Sequence, residues 1–174
     1  MKTKLLSSIF TRFNPTSDEF FNKGILKIDL KDYIEAISNF DEAIKMKSDF
    51  AEAYYNRGLA KKAIKDNRSA ISDYDKSIEI KPDFGEAYYN RGLTKLEIRE
   101  YCEAMLDIEQ AILCLTKTIE INPGDAKAYY IRGNAKLVIG QKDSGCSDLN
   151  KAVELGYVKA FEEIKKFVQT DAWR

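Results

Sequence analysis

The sequence predicts an all-α chain built as a tandem array of helical hairpins with one closing helix, and three features of its 174 residues predict it. The first is self-similarity. AEAYYNRGLAK begins at Ala51 and GEAYYNRGLTK begins at Gly85, 34 residues later. The same interval before Ala51 reaches Ser17, followed by DEFFNKGILK, and a fourth copy, AKAYYIRGNAK, begins at Ala126. The second is helical spacing: Ala53, Tyr54, Gly58, Leu59 and Ala63 recur on one helix face, as do Ala70, Ile71, Tyr74, Ser77 and Ile78 beyond Asp66-Asn67. Each copy therefore reads as two helices joined by a turn. The third is punctuation. Pro82 and Pro123 stop the second helices of two copies, since proline lacks an amide donor and bars its predecessor from the α region, and Ser48 holds the equivalent place in the first copy.

The expected organisation is an N-terminal basic and apolar segment (residues 1–16), four hairpins (17–50, 51–84, 85–125 and 126–157), a capping helix (158–169) and a tail (170–174). Small residues stand where paired helices must approach: Gly24, Gly58, Gly92 and Gly133 on first helices, and Ala36, Ala70, Ala104 and Gly145 on second helices. Larger side chains there would push each pair apart.

Composition narrows function. Lysine plus arginine and aspartate plus glutamate each total 28, so there is no global field to hold a nucleic-acid backbone or an anionic membrane. The absence of histidine removes the common triads and histidine-ligated zinc. Cys102, Cys114 and Cys146 are too few and scattered for a disulfide framework and contain no CxxC pair, which fits reduced thiols in a cytoplasmic protein without metal or cofactor. No run of 18 apolar residues is present, so no membrane span is expected. Met1 to Phe13 carries Lys2, Lys4 and Arg12 around Leu5, Leu6, Ile9, Phe10 and Phe13. It fits one face of a short helix better than a cleavable leader, with a targeting role as the alternative.

The 34-residue hairpin pattern resembles the tetratricopeptide repeat from about Ser17 to Tyr157. The matching positions are Phe20, Gly24, Ala36, Phe40 and Ala43; Tyr54, Gly58, Ala70, Tyr74 and Pro82; Tyr88, Gly92, Ala104, Ala111 and Pro123; and Tyr129, Gly133 and Ala152. The resemblance implies a right-handed superhelical α-solenoid and a non-catalytic scaffold for a protein or peptide partner. The chain departs from the family where leucine is common before the glycine (Lys23, Arg57, Arg91, Arg132) and where tyrosine is common three residues after it (Lys27, Lys61, Lys95, Lys136). Asp73, Asp107 and Asp148 recur in phase with the arginines, so partly buried ion pairs are expected, a solvated charge stripe being the alternative.

First helices of such an array line its inner wall, so residues recurring in phase form ladders. Phe21, Tyr55, Tyr89 and Tyr130 form an aromatic ladder. Asn22, Asn56 and Asn90 form an amide one, broken at Ile131, and Ile25, Leu59 and Leu93 an aliphatic one, broken at Asn134. Asp18, Glu52 and Glu86 add acidity that Lys127 reverses. An amide both donates and accepts, so the asparagines suit the main chain of a bound peptide, while the aromatic rings suit either side-chain pockets or packing between helices. The family's clamp for a peptide's terminal carboxylate is absent, because Tyr55, Leu59 and Ile131 stand at three of its positions.

The third hairpin is seven residues longer, and aligning Ile112 with Ile78 and Pro123 with Pro82 places the excess at 113–119. Seven residues turn a helix by about 700°, so its apolar face continues. Leu113, Cys114, Leu115 and Ile119 then need cover, from the fourth hairpin or from a second molecule. A monomer and a homodimer therefore both remain open, the homodimer using this long helix as an assembly element. Val158 to Val168 is expected to cap the array through Ala160, Phe161, Ile164 and Phe167 or Val168, with Glu162, Glu163, Lys165 and Lys166 outward. No spacing assembles a nucleophile, a base and an oxyanion donor, so the chain is not expected to be an enzyme.

Overall fold

The computed structural model describes residues 15–171, with side chains through Lys165. The readings of Met1 to Phe13 and of residues 172–174, and the side chains of Phe167 and Val168, lie outside what it describes. Every regular element among the described residues is an α-helix. In chain order they are α1 (Ser17–Asp29), α2 (Tyr33–Met46), α3 (Ala51–Ala63), α4 (Asn67–Ile80), α5 (Gly85–Glu97), α6 (Tyr101–Ile121), α7 (Ala126–Val138), α8 (Lys142–Glu154) and α9 (Val158–Asp171). They form two compact units, one ending at Ile80 and one beginning at Lys81.

In the first unit α1 pairs with α2 and α3 with α4. A capping box starts α1: the Glu19 amide donates to Thr16 Oγ1 (3.2 Å), and the Thr16 amide donates to Glu19 Oε2 (3.0 Å). Each hairpin closes on a bulky ring laid over a glycine. Phe40 and Tyr74 are fully buried, and a Cβ on Gly58 would come within 2.7 Å of the Tyr74 ring. Ser77 Oγ donates to the Ala51 carbonyl (2.9 Å), tying α4 to the start of α3.

The turns close by a device that composition does not announce. Lys31 and Lys65 adopt φ of 60° and 67°, and the next residue's amide reaches back to form a Schellman-type bond, Asp32 to the Lys27 carbonyl (2.8 Å) and Asp66 to Lys61 (3.0 Å). Asp32 and Asp66 then cap the following helices by accepting from the amides of Glu35 and Ser69. The second unit repeats the turn at Arg99 (φ 67°) and at Gly140 (φ 81°), where the left-handed conformation carries no Cβ penalty.

In the second unit α5 pairs with α6, α7 with α8, and α9 packs on α8. Ile108 and Leu149 are fully buried against Gly92 and Gly133. Helix α6 runs 21 residues without interruption, against 13 for its partner α5. Its N-terminal half holds α5 through Ala104, Asp107 and Ile108, and Leu115 lies against Gly85 at the start of α5. Its C-terminal half holds α7: Ala111, Leu115 and Ile119 enclose Ala128 and Ile131. Arg132 Nη1 donates to Thr116 Oγ1 (3.1 Å). In the first unit the corresponding arginine, Arg57, reaches Asp41, whose repeat equivalent on α6 is Glu109. Thr116 stands seven residues beyond Glu109, so the α7–α8 hairpin sits about 10 Å further along α6 than the repeat period alone would place it.

That displacement covers most of the extension. Cys114, Leu115 and Ile119, expected as self-association candidates, are buried within the chain, and Leu113 alone of the four is exposed. On α9, Ala160 is buried and Ile164 packs inward, but Phe161 is 47% exposed beneath Lys165, so it does not belong to the capping face assigned to it.

Candidate functional site

The recurring charges form built sites. In the first unit Arg57 grips Asp73 with two bonds, Nε to Oδ2 (2.9 Å) and Nη2 to Oδ1 (2.5 Å), and Lys61 Nζ adds a third contact at 2.8 Å. The second unit has the same arrangement twice, Arg91 and Lys95 on Asp107, and Arg132 and Lys136 on Asp148, with each lysine at 2.8 Å. The three aspartates are 4–6% exposed. These are charge-assisted, bidentate pairs rather than a solvated stripe.

Each arginine also lies over the tyrosine three residues before it, Tyr54, Tyr88 or Tyr129, at 5.3–5.4 Å. Burial alone would raise the Asp148 carboxyl, but hydrogen bonds from Arg132 and Lys136 and their charges outweigh it and hold it below the usual carboxylate range. Burial likewise works against the Arg57 charge, and Asp73 and Asp41 more than restore it.

The lysines are the part that sequence reasoning left unassigned. Their signal was available: each stands four residues after an arginine on one helix face, in phase with an aspartate. The first hairpin lacks the cluster because Asn39 stands where the others have aspartate. There Lys27 turns to Glu35 (2.5 Å) and Asp32 (3.8 Å), and Lys23 lies over Phe20.

The proposed groove residues divide by unit. In the first, Phe21 packs against Phe40 and Phe50, with ring centroids at 5.8 and 4.9 Å, and Tyr55 is 9% exposed with its ring 6.1 Å from Tyr74. Tyr55 thus belongs to the core and forms no side-chain pocket. Asn22 is exposed, while Ile25, Asn56 and Leu59 are half-buried. Asn56 donates from Nδ2 to the Glu52 carbonyl of its own helix (2.7 Å), and an amide has a second N–H and a carbonyl oxygen besides.

In the second unit Asn90 makes the same bond to Glu86 (2.9 Å), and Asn134 to Tyr130 (3.0 Å). Leu93 is half-buried beside them. Tyr130 lies on Tyr157 at 4.9 Å, and the Tyr89 hydroxyl is pushed up to about 12, first by burial and then by Tyr130 and Glu163. Lys127 is 3.3 Å from Glu86, so the cation and the acid expected at separate rungs neutralise one another. Ile131, read as a break in the amide ladder, faces the α6 core instead.

Two repeat-family models match the chain, "TPR repeat" over residues 26–65 and "Tetratricopeptide repeat" over 51–84. No curated protein matches it. Among solved structures, the crystal structure of MamA is 25% identical, covers 88% of this chain and 86% of its own, and gives a TM-score of 0.55. MamA 41-end from Desulfovibrio magneticus RS-1 is 21% identical over 92% and 98% of the two chains, with a TM-score of 0.55, a likeness of fold alone. The TPR2B domain of yeast Sti1, in a complex with pHsp70, is 26% identical over 70% of this chain and 96% of its own, with a TM-score of 0.59. Glycine-seated side chains, paired helices and these likenesses converge: the chain carries tetratricopeptide repeats and has the all-α solenoid fold.

Proposed function

We propose that the chain is a non-catalytic scaffold that holds a peptide or a helix of a partner protein on the inner faces of its first helices. The observation that carries this is a second face on those helices that packing has not consumed. Asn22, Ile25, Asn56, Leu59, Asn90, Leu93 and Asn134 keep partial or full exposure, while the opposite faces are filled. Amides set between aliphatic side chains suit a ligand read mainly through its main chain, with apolar side chains beside it. The likeness to a Sti1 domain in a complex with pHsp70 supports peptide binding as the mode. The pairing of Lys127 with Glu86 argues against a terminal carboxylate as the feature recognised. No helix among the described residues is long and apolar enough to cross a membrane.

The test is selection of binders from a random peptide library, followed by calorimetry against Asn56→Ala/Asn90→Ala. The expected result is affinity weaker by about tenfold, one lost hydrogen bond's worth at each amide, with helicity and melting nearly unchanged. A library without binders, or equal affinity for both proteins, would overturn the reading.

A further inference from the structure

The outward face of α6 differs from that of every other second helix. Leu106 and Leu113 are 66% and 58% exposed there. The repeat equivalents of Leu106 are Ser38 on α2, Ser72 on α4 and Ser147 on α8, and the residue seven further along is Lys45, Glu79 or Glu154, whereas on α6 it is Leu113, the first residue of the insertion. A serine followed seven residues later by a charge is the pattern of a wetted helix surface. Leucine at both places of one helix replaces it with an apolar seam.

The seam has heptad spacing. Glu103, Leu106, Gln110, Leu113, Lys117 and Glu120 follow one another at intervals of 3, 4, 3, 4 and 3 and fall within about 100° of one another on the helix. All are exposed except the half-buried Gln110. The order is also self-complementary on reversal. With a second α6 laid antiparallel about a two-fold axis at Gln110, Leu106 meets Leu113 of the second copy, and Glu103 meets its Lys117, twice each by symmetry. A hollow of about 320 Å³, lined by Glu109, Ile112, Leu113, Ile139 and Gln141, lies beside the seam and gives an incoming leucine room to enter.

We infer that this face of α6 is a self-association surface on which a second copy of the chain docks antiparallel, Leu106 of each against Leu113 of the other. The inference is independent of the peptide-binding reading, since it uses the other side of the hairpins. Parallel pairing sets Glu103 against Glu103 and Lys117 against Lys117, which disfavours it. Glu109 meets its own copy near the axis, a like-charge contact that keeps the dimer reversible.

Sedimentation equilibrium of the full chain at several concentrations tests this. The expected result is a concentration-dependent dimer that Leu106→Glu/Leu113→Glu abolishes without loss of helicity, because both side chains are exposed. Glu103→Lys alone should weaken association by about tenfold, and Glu103→Lys/Lys117→Glu should restore it. Glu109→Gln should tighten it. Under mild oxidation Gln110→Cys should cross-link as a dimer, while the exposed Cys102 should not, since antiparallel pairing holds its two copies about 24 Å apart. A strict monomer at every concentration overturns the inference, as does a dimer indifferent to the leucine pair or one cross-linked through Cys102.

Discussion

Arg132 bridges two helices with one guanidinium: Nη1 donates to Thr116 Oγ1 at 3.1 Å on α6, and Nε and Nη2 hold Asp148 at 2.8 and 2.7 Å on α8. The equivalent group in the first unit, Arg57, spans Asp41 and Asp73 in the same way. Substituting a hydroxyl for the outer carboxylate leaves the inner pair intact, so the Arg–Lys–Asp cluster is the part that the second, third and fourth hairpins all keep.

Removing one member of such a cluster strands the others. Asp107→Ala takes away the carboxylate that Arg91 and Lys95, 16% and 15% exposed, share, and should cost about 3 kcal/mol. Replacing all three together, Arg91→Leu, Lys95→Tyr and Asp107→Leu, should return most of that stability. Urea unfolding of the two variants checks it.

Acid should loosen the second unit through Asp148. Its carboxyl titrates below the ordinary value in the folded chain, so the stability it contributes is fully present above an unfolded pKa of about 3.9 and is lost as pH falls through the folded value. Melting temperature should change little with this group between pH 5 and 7 and fall below about pH 4. Asp148→Asn should flatten that acid limb.

Gly58→Ala should destabilise, although alanine is ordinarily the better helix former by about 1 kcal/mol. The added Cβ would stand 2.7 Å from Tyr74 Cε1 and 3.2 Å from the Ala70 carbonyl, so ring or helix must shift, at a cost of about 1–3 kcal/mol. Gly58→Ala/Tyr74→Leu should recover part of the loss, read as the midpoint of thermal unfolding.

Deleting Leu113–Ile119 should leave a folded, helical protein. Seven residues are nearly two whole turns, and after deletion Arg132 would meet Glu109, the equivalent of the Asp41 that Arg57 meets. Circular dichroism and a single cooperative melt check this. Loss of cooperativity would show that the long helix is needed for folding.

The hairpins were legible because a 34-residue period samples each packing position several times: a glycine opposite a bulky apolar side chain is one coincidence at Gly58 and Tyr74, and a rule after Gly92 and Ile108. Neighbouring aromatic pairs were less legible. In Tyr54-Tyr55 both rings suit a half-buried helix face, and only the packing of α3 on α4 puts Tyr55 against Tyr74 in the core. The left-handed turns at Lys31, Lys65 and Arg99 were invisible, since none is a residue that favours that conformation and the helices on either side impose it. The long helix was legible in length but not in consequence, because its two halves serve different neighbours and sequence offers one phase for both.

The length of α6 separates two quantities that a repeat normally fixes together. Adding two coils to a shared strut spreads successive rungs apart by about 10 Å while leaving their compass bearing nearly unchanged. A protein of this kind can thus retune the spacing between neighbouring hairpins in steps of a heptad, without rebuilding any joint.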